Sequence, residues 1–108
     1  MTADPTEVDA RTAARWLAQG QAVLIDVREA PESAAERITG AVLLPLSHFD
    51  PAQAPAAPGQ RLIVHCHLGV RSRLACARLR ASGRDQVWNL TGGIESWKQA
   101  GLPTQRGR

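Results

Sequence analysis

Four short apolar runs, each bounded by turn residues and separated by segments of helical character, constrain the fold of this chain most. Ala22-Val23-Leu24-Ile25-Asp26-Val27 is continuous apolar sequence broken by one Asp, and Ala41-Val42-Leu43-Leu44 is a second run, ended by Pro45. Arg61-Leu62-Ile63-Val64 leads into His65, and Gln86-Val87-Trp88-Asn89-Leu90 is the last. Runs of this length without polar alternation are strands covered on both faces. Between them lie helical stretches. Asp9 is an N-cap for a helix that follows the lead-in from Thr6 and stops at Gly20, and a short helix is expected after Pro31. Arg73 to about Ser82-Gly83 and Ile94 to Ala100 give two more, the last stopped by Gly101 and Pro103. Alternating strands and helices predict an α/β fold, a parallel sheet with helices on both faces. The segment 50–60, with three prolines and a glycine, reads as a surface loop and not a linker, because strands flank it.

With 108 residues the expectation is one domain, 1–108, with its core over about 9–103 and short flexible termini. No apolar run approaches the ~20 residues that span a bilayer, and the first residues lack the basic and apolar regions of a secretory signal. Two cysteines are too few for a disulfide framework, so the expected setting is reducing and cytoplasmic. The net charge of +3 is mild, and 12 of the 13 cations are Arg. With one Phe and no Tyr there is no stacking platform for bases, so neither nucleic acid nor membrane is an expected partner.

The chemistry concentrates in His65-Cys66-His67-Leu68-Gly69-Val70-Arg71-Ser72. A cysteine stands at a strand end, in a short turn holding a glycine, just before a helix N-terminus. The free N–H groups and partial positive charge of that terminus favour an anion. Arg71 adds a fixed cation, in a position where it opposes the helix dipole and gains nothing unless an anion lies near. Cys66 is therefore predicted to have a lowered pKa and to act as a nucleophile. The end of a parallel-sheet strand is also where ligands bind in open α/β folds. His65-Cys66-His67 invites a zinc reading, but four convergent ligands are needed and His48 and Cys76 are the only further His or Cys. No metal is expected. Cys76 shares a helix stripe with Ser72 and Leu79 and reads as core. Asp26, at a buried strand end, is expected to hold loop N–H groups or pair with an arginine. With Arg28 it reads as a support of the site. Trp88 and Trp97 read as core and helix-docking residues. Ser72 is a candidate helix N-cap or a donor to the sulfur.

Four segments together resemble the single-domain rhodaneses, over about Asp9 to Pro103. They are Ile25-Asp26-Val27-Arg28 with Glu32, and Arg37-Ile38-Thr39-Gly40-Ala41, in which Arg37 replaces the family's usual His. The others are Cys66 to Ser72, and Asn89-Leu90-x-Gly92-Gly93-Ile94-x-x-Trp97. The resemblance implies a rhodanese-like domain with a central parallel sheet of about five strands. It also implies a sulfurtransferase of the thiosulfate type. Cys66 would attack the outer sulfur of a donor, thiosulfate or a persulfide, become a persulfide itself, and pass the sulfur to cyanide or a thiol. The N–H groups from His67 to Ser72 would cradle the sulfur, and Gly69 would let the backbone turn tightly. The side chains of His67 and Leu68 would flare outward and tune substrate choice, while Arg71 would bind a donor oxyanion or brace the loop. Substrate-binding positions are then His67, Leu68, Gly69, Val70, Arg71 and Ser72, with no organic cofactor.

Four residues separate Cys66 from Arg71. Phosphatases of related fold and similar arsenate reductases have five, which makes room for a tetrahedral oxyanion. The shorter loop fits a sulfur-sized ligand. An alternative of another class is a protein sulfur carrier or interaction module with little small-molecule turnover, using the loop and the basic helix face to meet a sulfur-accepting protein.

Overall fold

Alternate residues of the central strands face opposite sides, and each side has its own helices. The computed structural model describes residues 6–55 and 59–107. Five parallel strands form the sheet: β1 (Thr6–Val8), β2 (Ala22–Asp26), β4 (Val42–Leu43), β5 (Arg61–His65) and β6 (Val87–Leu90). Their spatial order is β1-β6-β5-β2-β4. On one face, Leu24, Ile63 and Leu90 pack with Ala10 and Ala13 of α1 (Ala10–Ala18) and with Ile94 and Trp97 of α4 (Gly93–Gln99). On the other, Ile25, Leu62, Val64 and Val87 pack with Ala75, Cys76 and Leu79 of α3 (Arg71–Ala81). Both faces of β2 and β5 are thus buried, which is why their sequences are continuously apolar.

The local signals act as expected in most places. Asp9 accepts from the Thr12 N–H at 2.7 Å and starts α1. α2 (Ala30–Ala35) carries a reciprocal capping box between Glu29 and Glu32, with Pro31 in its first turn. The lead-in before Asp9 differs from expectation, because Thr6–Val8 is a sheet strand held by β6. A small antiparallel pair, β3 (Glu36–Arg37) with β7 (Gln105–Arg106), ties the chain beyond Pro103 to the end of α2. Ordered structure therefore extends past 9–103 at both ends; residues 1–5 and 108 lie outside the described residues. The 50–60 segment contains a 3₁₀ turn, Pro51–Gln53, and its residues 56–58 also lie outside. Trp97 is buried and donates its indole N–H to the Pro103 carbonyl at 2.8 Å. Trp88 is only half-buried and stacks edge-on against Trp16, whose ring carries the Arg61 guanidinium at 4.2 Å. Among the described residues no helix is long and apolar enough to cross a membrane.

The chain runs from β2 outward to β4, then returns to place β5 on the opposite side of β2. The crevice at the carboxyl ends of β2 and β5 is the switch point of the sheet. Asp26 and His65 are register partners there, and Cys66 is the next residue.

Candidate active site

The loop from Cys66 to Val70 turns its N–H groups inward because its carbonyls are held from outside. The Cys66 carbonyl accepts from the Ile94 N–H at 2.9 Å and the His67 carbonyl from the Glu95 N–H at 3.3 Å, both in the first turn of α4. The Gly69 carbonyl accepts from the Asn89 side-chain amide at 3.2 Å. With these oxygens anchored, the Gly69 N–H points at Cys66 Sγ, 3.1 Å away. The N–H groups of Leu68 and Ser72 also favour the anionic sulfur, and the Ser72 hydroxyl lies 3.4 Å from it.

The close approach of loop and α4 depends on glycine. Gly93 has φ +60°, and a Cβ there would stand 2.5 Å from the carbonyl oxygens of both Cys66 and His67. Gly69 has φ +93°, the left-handed turn expected for it.

Two opposing effects set the Cys66 thiol. Burial, the larger single effect, favours the neutral form, but the Ser72 hydroxyl and the N–H groups of Ser72, Gly69 and Leu68 together outweigh it. The net pKa is lowered from an ordinary 9.0. Cys76, ten residues on, is fully buried on the core face of α3, and desolvation pushes its thiol up to about 12. Two cysteines on consecutive segments are thus opposite in character, as their positions predicted.

Ser72 is not the helix cap. α3 begins at Arg71 with Val70 in the cap position, in right-handed helical conformation and without a side-chain cap bond. A cap accepts from the N–H of the second or third helical residue. Here the second is Ser72, and its N–H favours the Cys66 thiolate. The sulfur stands where a capping oxygen would. The Ser72 hydroxyl also donates to Asn89 Oδ1 in a short bond. The Asn89 amide is oriented by Glu7, whose two carboxylate oxygens accept from Nδ2 at 3.1 and 3.2 Å. Strand register makes this possible, since Glu7 and Asn89 are paired residues of β1 and β6.

Arg71 does face an anion, and the anion is Glu32. The guanidinium makes a bidentate pair with the carboxylate at 2.8 and 2.8 Å, and Glu32 is held down to a pKa of about 2, chiefly by that pair. Glu32 Oε1 also accepts from the Glu29 N–H in the capping box at 3.0 Å. Of the two expected uses of Arg71, the geometry favours bracing the loop. Asp26 takes both of its expected roles: Oδ1 accepts from the Arg28 backbone N–H at 2.9 Å, and the carboxylate pairs with the Arg28 side chain, Nε to Oδ1 at 3.0 Å and Nη2 to Oδ2 at 2.8 Å. Arg28 then donates to the carbonyls of Glu32 and Glu36 at the end of α2. A continuous chain therefore runs from Asp26 through Arg28 and α2 to Glu32, Arg71 and the loop.

The remaining side chains divide between the interior and the mouth. His65 is fully buried and its pKa is lowered, by burial first. Its Nδ1 lies 3.1 Å from the Cys66 carbonyl oxygen, which only accepts, so Nδ1 carries the proton. Nε2 faces Asp26 Oδ2 at 3.8 Å and makes no hydrogen bond. His67 and Leu68 point outward as expected, and His67 Nε2 is 3.0 Å from Glu95 Oε2 on α4. Val70 is exposed. Sequence reasoning gave no role to Glu7, Glu95 or Asn89, or to the Gly92-Gly93 turn. Asn89 and the two glycines belong to one of the four quoted motifs, whereas Glu7 and Glu95 carried no local signal.

The rhodanese-like domain family model matches residues 9–100, and the chain belongs to that family. It is 44% identical over 86 residues to the uncharacterized protein slr1261 of Synechocystis, covering 80% of this chain and 48% of that one. The chain thus spans about half the length of that relative. A sulfurtransferase of Allochromatium vinosum is 37% identical over 99 residues, covering 90% of this chain and 92% of its own. The rhodanese-like domain of the Anabaena Alr3790 protein, solved by NMR, superposes with a TM-score of 0.81 at 27% identity, covering 94% of this chain and 79% of that one.

Proposed function

We propose that this chain is a sulfurtransferase that carries sulfane sulfur on Cys66. The thiolate attacks the outer sulfur of thiosulfate, the Cys66–sulfur bond forms, and sulfite leaves with the electron pair of the broken S–S bond. With a persulfide donor the leaving group is a thiolate. In the second half-reaction cyanide or a thiol attacks the outer sulfur, and Cys66 leaves as a thiolate. Negative charge stays at one place throughout, and fixed N–H dipoles there serve both halves. The inward N–H groups of Leu68, Gly69 and Ser72 around Cys66 Sγ are the observation that carries this reading. Kinship with a sulfurtransferase matched over nine-tenths of both chains supports it.

In this reading Cys66 is the nucleophile. The backbone of 68–72 holds the sulfur, Arg71 braces the loop through Glu32, and Asp26 with Arg28 supports α2. His67 and Leu68, at the mouth, meet the donor and acceptor. The whole chain acts as one domain in a reducing, cytoplasmic setting, in keeping with its two free thiols.

Intact mass spectrometry after incubation with thiosulfate or glutathione persulfide tests the proposal. One added sulfur is expected on the wild type and on Cys76→Ser, and none on Cys66→Ser. Thiosulfate:cyanide turnover should be saturable and lost in Cys66→Ser. Absence of an adduct with every donor would overturn the reading.

A further inference from the structure

Three large apolar side chains stand out from the described surface: Leu68 at 60% exposure, Val70 at 74% and Leu74 at 50%. They are not scattered. Leu68 and Val70 belong to the loop around Cys66, and Leu74 is one helical turn beyond Val70. The outer side of α3 continues them. Ser72, Ala75, Cys76 and Leu79 face the core, while Arg73, Leu74, Ala77, Arg78 and Ala81 face solvent. Positions 70, 74, 77 and 81 thus form an apolar stripe at helical spacing on the side away from the core.

The segment that carries this stripe has charge of one sign, and the acidic residues that meet it, Glu7 and Glu32, come from other elements. Residues 66–84 hold five of the chain's arginines and none of its ten acidic residues. Three of these arginines are engaged: Arg71 by Glu32, Arg80 by Thr6 and the Val87 carbonyl, and Arg84 by the carbonyls of Pro51 and Ala54. Arg73, with an exposed side chain, has one contact with Glu7 at 3.3 Å, and Arg78 makes no ion pair among the described residues. An apolar stripe flanked by solvent-facing arginines complements a surface that is apolar at its centre and acidic at its rim. A second copy of this chain would bring the same solvent-facing Arg73 and Arg78 to a two-fold contact, so like charges would meet.

The stripe begins at the loop that encloses a nearly buried sulfur; Cys66 is 1% exposed. A small anion such as cyanide has no use for aliphatic contacts along α3. A thiol on a larger molecule does, because binding energy from remote contacts can be used to orient the attacking atom. We propose that the outward face of α3 and the loop tip, Leu68 to Arg78, dock an acidic segment with apolar anchors on a partner protein whose cysteine accepts the sulfur. This rests on the persulfide reading of Cys66 and names the acceptor class for it. The partner's thiolate attacks the outer persulfide sulfur, the partner's new S–S bond forms, and Cys66 leaves as a thiolate, so no oxidant is needed.

The test uses three synthetic peptides of equal length with one central cysteine, flanked by Asp/Glu and Leu, by Gly and Ser, or by Lys and Leu. The full chain is loaded with thiosulfate and desalted, and sulfur transfer is followed by mass spectrometry at low and high salt. The acidic–apolar peptide should react about tenfold faster than the neutral one, and the basic one slowest, with the preference shrinking as salt rises. Leu74→Asp combined with Arg78→Glu should abolish the preference and leave cyanide turnover at the wild-type rate. Arg78→Ser alone, a milder change, should halve it or more if the double variant folds poorly by circular dichroism. Equal rates for the three peptides, or an unchanged preference in both variants, would overturn the proposal. So would sedimentation showing a dimer that Leu74→Asp dissolves, or binding to anionic vesicles that displaces the acidic peptide. Fluorescence anisotropy with the same peptides carrying Ser for Cys reads docking alone. Tight binding of the acidic peptide without any sulfur loading would refute the persulfide reading and leave the docking face standing.

Discussion

Replacing Gly93 by Ala should disable the site through the backbone alone. Two separate costs act at this residue. The first is conformational: a non-glycine residue at φ +60° carries about 1–2 kcal/mol of strain. The second is steric. The new Cβ would lie 2.5 Å from two carbonyl oxygens and 2.6 Å from the His67 carbonyl carbon, all backbone atoms, so no rotamer relieves it. Restoring contact to the 3.0–3.4 Å that a crowded Cβ tolerates moves the loop and α4 apart by about half an ångström or more. That movement stretches the bonds from the Ile94 and Glu95 N–H groups, now 2.9 and 3.3 Å, which contribute about 1 kcal/mol each. The expected total is about 3–4 kcal/mol. Gly40→Ala is the matched control, since Gly40 has φ +86° and nothing within 4 Å of its would-be Cβ. It bears the strain without the clash.

Thermal unfolding by circular dichroism reads the stability. At about 4–8 °C per kcal/mol for a domain of this size, Gly93→Ala should lose roughly 15 °C or more and Gly40→Ala no more than about half of that. Turnover per folded molecule reads the site. A misplacement approaching 1 Å costs about 100-fold in rate. Gly93→Ala should therefore lose most of its thiosulfate:cyanide activity below its Tm, while Gly40→Ala retains it. Equal Tm and equal turnover in the two variants would refute the claim that α4 sets the loop geometry.

Three further outcomes are expected. Alkylation of Cys66 by iodoacetamide should show a midpoint below 9.0 that rises in Ser72→Ala, while Cys76, at about 12, stays unlabelled in the folded protein; labelling of Cys76 at pH 8 would contradict its burial. Glu32 has its folded pKa depressed from 4.5 to about 2, so its contribution is present above 4.5 and is lost as pH falls toward 2. The pair is partly solvent-exposed, so Glu32→Gln should cost only about 0.5 kcal/mol at neutral pH, and the stabilities of the two proteins should converge between pH 4.5 and 2 in denaturant titrations. His65, with a lowered pKa, stays neutral in the fold and protonates in the unfolded chain below its ordinary 6.5, so acidification through 6.5 should destabilise the wild type and have a smaller effect on His65→Asn.

What could be read from the residues follows the range over which each signal acts. Three of the four runs were legible as buried strands because both faces of the sheet are covered there, and continuous apolar sequence has few other uses; the fourth is only the short, half-buried edge strand Val42–Leu43, and not the fully covered strand expected over 41–44. β1 was not, because Thr6-Glu7-Val8 is short and has two polar residues of three, and only its pairing with β6 makes it a strand. Cys66 was legible from neighbours within six residues. Its wider frame was not, because Glu32 lies 39 residues from Arg71 and Glu7 lies 82 from Asn89. Those contacts are products of strand order and register. Arg71 shows the limit well: its unfavourable place at a helix start correctly demanded an anion, but nothing local could say that the anion is a side chain of the protein itself.

The start of α3 joins the structural and chemical sides of the site. A helix beginning in Val70-Arg71-Ser72, with no side-chain cap and a cation in its first turn, lacks the usual means of satisfying its free N–H groups. The Cys66 sulfur stands in for the missing cap, because the Ser72 N–H favours its anion. Ionising the thiol and completing the helix are therefore coupled events. The same holds for the Ser72 hydroxyl, whose one proton faces two acceptors, Asn89 Oδ1 and Cys66 Sγ. Glu7 fixes the Asn89 amide so that Oδ1 faces Ser72, which makes Asn89 the alternative acceptor when the sulfur is neutral. Turning the hydroxyl toward a thiolate gives up the bond to Oδ1, so the one proton has an acceptor in either protonation state. An N-terminus left open for an anion, beside a hydroxyl that serves either state, suits a sulfur that must be thiolate, persulfide and thiolate again in each cycle.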